Sequence, residues 1–68
     1  GEAMTMQGSE FRAARKRLGW TQARMAAELD MSPTFIGLME RGERPIERRT
    51  ALAVRALEID PGSHLGEP

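Results

Sequence analysis

Two hydroxyl residues, Thr21 and Ser32, each stand immediately before a short stretch of helical period, and this pairing constrains the chain more than any other feature. A serine or threonine at that place accepts from an N–H of the first turn, which has no partner inside the helix. After Thr21, the residues Gln22, Met25, Ala26 and Leu29 recur at offsets of three and four and so share one face. After Ser32, the residues Ile36, Met39 and Glu40 do the same. The stretch TQARMAAELDMSPTFIGLMERG, from Thr21 to Gly42, therefore reads as two short helices joined by a tight turn. Helices so short and so close must cross steeply and pack on a third element, which defines a helix-turn-helix.

The rest of the chain supplies that third element. A helix is expected from about Ser9 to Leu18, with Phe11, Ala14, Arg15 and Leu18 on one stripe and Arg12, Lys16 and Arg17 off it. Gly19 is a natural left-handed stop, and Trp20 can fold back onto the last turn as a core residue rather than a base-stacking one. Asp30 occupies the turn, where it tolerates a left-handed backbone better than most side chains. Pro33 opens the next helix, where its missing N–H is no loss. Glycine inside a helix costs about 1 kcal/mol against alanine. Gly37 therefore implies a close approach, by a neighbouring helix or by a DNA backbone.

Gly42 ends that helix and Arg44-Pro45 makes a loop. A fourth helix follows from about Glu47 to Leu57, with an apolar face wider than one core stripe needs. The surplus points to a second chain, with Val54, Leu57 and Ile59 as the expected dimer interface. Residues 1–7 lack any period and read as a disordered segment, with Gly1 to Ala3 resembling a tag remnant. Residues 8–59 form the expected domain, and residues 60–68, with two prolines and two glycines, a flexible tail. The fold class is all-α.

Two residues stand out chemically. Arg15 is a cation on an apolar stripe, and Glu40 is a carboxylate on another. Neither belongs there without a partner, and the simplest resolution is a largely buried Arg15–Glu40 ion pair between helices. A catalytic role for Glu40 has no second acid or base to support it. His64 is the sole histidine and lies in the expected tail, so neither an enzyme nor a metal site is indicated. No cysteine is present, which removes disulfides and thiolate metal ligands. No apolar run approaches the ~18–20 residues of a membrane span, no secretory leader is evident, and nothing calls for a cofactor or a small-molecule ligand. A cytosolic protein is the default expectation.

Charge is permissive. The formal net charge is zero, whereas nucleic-acid binders usually carry a basic excess. Residues 8–50 nevertheless hold nine basic groups against six acidic ones, and the acidic surplus is concentrated beyond them.

The pattern Leu18-Gly19-Trp20-Thr21-Gln22, Met25-Ala26, Leu29-Asp30-Met31-Ser32, Ile36, Met39-Glu40-Arg41-Gly42 and Arg44-Pro45 resembles the phage repressor and Cro family, the xenobiotic-response-element type of helix-turn-helix. The resemblance covers about residues 9–58. It implies a compact, lambda-repressor-like domain of four or five helices. Such a domain is usually dimeric, binds double-stranded DNA and regulates transcription. It implies that Gln22 clamps a phosphate, and that Arg41 and Arg44 reach phosphate or an outer base, with Thr21 and Ser32 beside them. It implies that Pro33, Thr34, Phe35, Gly37 and Leu38 face base edges, and that Arg15 and Glu40 form a structural pair. The chain departs from the family where several members carry glutamine or asparagine: of those base-facing positions only Thr34 can hydrogen-bond a base. Readout then leans on apolar contact with thymine methyls, on Arg41 or Arg44, and on DNA shape. Arg48 and Arg49 fit phosphate contact and solvated surface equally well. The competing expectation is a protein-interaction module, itself an antitoxin-like (toxin-neutralising) or regulatory partner, that keeps the fold without reading DNA and presents Phe35 and Leu38 to another protein.

Overall fold

The computed structural model describes residues 6–61, which contain four α-helices and no strand. In chain order these are α1 (Gly8–Leu18), α2 (Gln22–Leu29), α3 (Pro33–Glu40) and α4 (Arg48–Ile59). Thr21 Oγ1 accepts from the Arg24 N–H at 3.0 Å and Ser32 Oγ from the Phe35 N–H at 3.1 Å, so both hydroxyls cap as their positions demand. Pro33 occupies the first turn of α3.

The first three helices end alike. Past α1, the Gly19 N–H returns to Lys16 O (3.0 Å) and the Trp20 N–H to Arg15 O (3.2 Å). Past α2, Met31 donates to Ala26 O (2.8 Å), and past α3, Glu43 donates to Leu38 O (2.8 Å). Each wrap needs one left-handed residue: Gly19 (φ 74°), Asp30 (φ 61°) and Gly42 (φ 79°). Asp30 is the one non-glycine among them.

The core joins all four helices: Phe11 and Ala14 from α1, Met25 and Ala26 from α2, Ile36 and Met39 from α3, and Ala51, Val54 and Leu57 from α4. Ile46 of the loop closes one end. Trp20, Leu18 and Leu29 are half-buried and pack against this cluster from outside. The Arg24 guanidinium lies 4.5 Å above the Trp20 ring, so that ring is a rim residue with a cation on its outer face rather than a fully buried one. Arg17 on α1 pairs with Glu58 on α4 at 2.7 Å across the outside.

Three sequence expectations need correction. The segment 1–7 was expected to be disordered, yet Met6 is buried in the core and Gln7 caps α1, its N–H donating to Glu10 Oε1 at 2.9 Å. The packed unit thus includes residues before Gly8; residues 1–5 and 62–68, with His64, lie outside the described residues. Helix α4 runs two residues beyond Leu57, and α1 starts one residue before Ser9. Val54 and Leu57, expected at a dimer interface, are only 0 % and 4 % exposed. They face inward because α4 packs on α1, and the period alone cannot say which half of a broad apolar face turns inward.

Gly8 sets how α1 approaches α3. A Cβ there would stand 2.5 Å from the Met39 carbonyl oxygen and 2.7 Å from that of Glu40. Those oxygens are backbone, so they cannot swing aside. The start of α1 can lie against the end of α3 only with hydrogen at this position.

Candidate nucleic-acid interface

Glu40, at the end of α3, organises the polar side of the domain. Its Oε2 accepts from Arg15 Nε at 2.6 Å, and its Oε1 accepts from Arg15 Nη2 at 3.2 Å and from Gln22 Nε2 at 3.1 Å. Arg15 Nη1 donates to the Trp20 carbonyl oxygen at 2.8 Å. The side chains of Arg15 and Glu40 are 12 % and 5 % exposed, so this two-pronged pair works largely out of water. Burial by itself pushes the Glu40 carboxyl up. The hydrogen bonds from Arg15 and Gln22, and the field of Arg15 and Arg12, together outweigh it and hold the pKa below its ordinary 4.5. The structural consequence is that one carboxylate ties α1, α2 and α3 together and fixes the Gln22 amide at the start of α2.

Helix α3 turns Ile36 and Met39 into the core and leaves a different stripe outside. Thr34 and Arg41 are exposed and Leu38 is half-buried; at spacings of four and three they lie along one outward edge. Ser32 and Pro33 are exposed at the start of the helix. The positions named from the sequence thus separate. Phe35 is half-buried and packs against the core from outside, flanked by Met31, Arg44 and Pro45. Gly37 is buried: its Cα lies beneath Arg41 Nη1 and the Gln22 amide, which a Cβ would meet at 3.2 and 3.7 Å. Gly37 therefore presents no surface of its own. The reason is positional, since residue 37 falls on the flank of α3 that faces the start of α2, not on its outer edge. With Phe35 leaning on the core, the apolar patch that motivated a protein-interaction module is reduced to a half-covered Leu38.

Several basic side chains are exposed after α3. Arg41 is exposed and its Nε donates to Glu43 Oε2 at 2.9 Å. Arg44, Arg48 and Arg49 are exposed in the following loop and first turn of α4. Arg12, exposed on α1, borders the same polar hollow as Gln22 and Arg41; the sequence offered no sign of it, because Arg12 is off the α1 stripe and looks like ordinary surface. Among the described residues no cluster of three or more metal-ligating side chains occurs, and no helix is long and apolar enough to cross a membrane.

Two short capped helices, a tight left-handed turn and a polar outer edge on the second helix agree with what comparison finds. The model of a helix-turn-helix domain family matches residues 8–63. The chain belongs to that family. Among curated proteins and solved structures none matches it. The matched span takes in all four helices of this helix-turn-helix domain, so it is a DNA-binding domain of the generic kind, in a family that is typically non-enzymatic. The stabilising pair Arg15–Glu40 and the cap residues Thr21 and Ser32 all fall within that span.

Proposed function

We propose that the chain is a sequence-specific regulator of transcription of the phage repressor and Cro type, acting as a repressor on double-stranded DNA. In this reading α3 enters the major groove and α2 braces it from the backbone side. One observation carries the proposal: Thr34, Leu38 and Arg41 form a continuous outward edge on α3, while Gln22 is held beside it by the buried Glu40. Thr34 supplies the hydroxyl for a base edge, Leu38 apolar contact with a thymine methyl, and Arg41 a guanidinium for guanine or phosphate. Pro33 and Phe35 shape the edge rather than read it. In this reading Thr21, Ser32 and Arg44 meet the backbone, where much of the affinity of such domains arises. In this reading the protein is encoded by a bacterium or a phage and works at the nucleoid in the bacterial cytoplasm.

The proposed active form is a homodimer, whose two α3 helices would sit about 34 Å apart on one face of a palindromic site. Support comes from the outer face of α4. Ile59 is 85 % and Leu52 45 % exposed, and a largely apolar groove of about 390 Å³ runs between α2 and α4, lined by Leu29, Ala53, Ala56, Leu57 and Ile59. With Val54 and Leu57 occupied inside the monomer, Ile59 is the one residue of the expected interface left to meet a second chain.

Selection from a randomised duplex library, followed by mobility shift of the selected sites, tests the reading. The expected outcome is a palindromic consensus, bound more weakly by Thr34→Ala and by Arg44→Ala. A protein that enriches no sequence at low salt, or whose two variants bind as the wild type does, is not the regulator described.

A further inference from the structure

Gly37 stands inside a helix, where glycine costs about 1 kcal/mol relative to alanine, and its neighbours explain why it is there. The point where its Cβ would lie is 3.2 Å from Arg41 Nη1, 3.7 Å from Gln22 Nε2 and 3.9 Å from Gln22 Oε1. A guanidinium N–H and a side-chain amide from different elements therefore meet on the floor of one hollow. That hollow, of about 170 Å³, is also lined by Arg12 of α1. It holds three guanidiniums and a single carboxylate, Glu40.

The donors are not equally committed. Arg15 is taken up by Glu40 and by the Trp20 carbonyl. Glu40 in turn accepts twice from Arg15 and once from Gln22. Gln22 uses one amide N–H on Glu40, and an amide carries two. Arg41 uses Nε on Glu43, while its Nη1 lies over Gly37. Arg12 is exposed and hydrogen-bonds no carboxylate among the described residues, while its charge still reaches Glu40. The spare donors of Arg12, Gln22 and Arg41 thus face one space several times the ~30 Å³ of a water molecule, beside the edge of α3.

We infer that this hollow seats a phosphodiester group of the bound duplex, with Arg12 as a phosphate ligand alongside Gln22 and Arg41, and with Gly37 kept bare so that the group can settle between them. The inference rests on the DNA-binding reading and extends it: α1 becomes part of the interface. A glycine floor and planar guanidinium walls suit a tetrahedral anion, because guanidinium N–H groups bind phosphate oxygens in pairs. Such a contact positions the protein without reading sequence.

The test is fluorescence anisotropy of a labelled duplex of random sequence and of a selected duplex, titrated at a series of salt concentrations. Loss of one phosphate contact makes the slope of log K on log salt shallower by about 0.9. Arg12→Ala is expected to show that change equally on both duplexes, and Arg12→Lys to restore the slope. Arg17→Ala, on the side of α1 that meets α4, is expected to leave it unaltered. Gly37→Ala is expected to weaken binding while thermal unfolding is unchanged or improved, since alanine favours the helix and the displaced atoms are ends of flexible side chains. If the wild type binds with a clear salt slope and Arg12→Ala has the same slope, the phosphate seat is wrong and the DNA reading stands. A loss confined to the selected duplex makes Arg12 a base reader and overturns the seat as well. Absence of any wild-type complex at low salt removes both.

Discussion

Gln22, the first residue of α2, hydrogen-bonds Glu40, the last residue of α3, across 3.1 Å. The same carboxylate is gripped from the other side by Arg15 of α1 at 2.6 Å. Helices α2 and α3 are therefore joined through a single side chain to α1.

Removing one member of the Arg15–Glu40 pair strands the other in a largely dry place. Glu40→Ala is expected to lower unfolding stability by roughly 3 kcal/mol, at the lower end for broken buried pairs. The double variant Arg15→Met/Glu40→Leu is expected to lose much less, because no buried charge is left alone. Urea unfolding of the wild type, the single variant and the double variant measures this. Equal losses in the single and double variants would show that the pair is not the cause.

The depressed pKa of Glu40 has a pH signature. A carboxyl whose folded pKa lies below its unfolded value adds stability that is complete above the unfolded pKa and disappears as pH falls through the folded one. Wild-type stability should therefore drop with acid from just below the ordinary value of 4.5 downward. Glu40→Gln, lacking the titrating group, should show a smaller drop. Melting temperatures at pH 7, 4 and 3 give the comparison, and parallel curves would refute it.

The close passage of Gly8 over the Met39 and Glu40 carbonyls predicts an unusual sensitivity at a helix start. Gly8→Ala would ordinarily help a helix; here it must push α1 off α3 and is expected to cost about 1–3 kcal/mol, as overpacking does. Gly8→Ala melting at or above the wild type would contradict the approach described.

Ile59 and Leu57 should behave as opposites. Ile59→Glu is expected to leave monomer stability nearly untouched and to dissociate the proposed homodimer in sedimentation equilibrium. Leu57→Ala is expected to cost about 2–5 kcal/mol of stability through the cavity it opens. A wild type that sediments as a monomer at high micromolar concentration would remove the dimer from the proposed function.

Local chemistry was legible in the amino-acid sequence. Caps depend on the side chain at one position, so Thr21, Ser32 and Pro33 mark helix starts, and Gly19, Asp30 and Gly42 mark the left-handed exits, without knowledge of anything distant. Spacing likewise places Arg15 and Glu40 on apolar stripes, where charges need partners. What packs against what is another matter. Period shows that α4 has a broad apolar face, but only its contact with α1 decides that Val54 and Leu57 go inside and Ile59 stays out. Met6, in a stretch with no period, is buried because the chain happens to pass over the core there. As a letter, Gly8 carries no sign of its role, and Gly37 implies a close approach without naming what approaches. The crossing of α1 over the end of α3 makes the first a point of backbone contact, and the meeting of α2 with α3 makes the second the floor of a polar hollow, because close approach is a property of two helices and is written in neither alone.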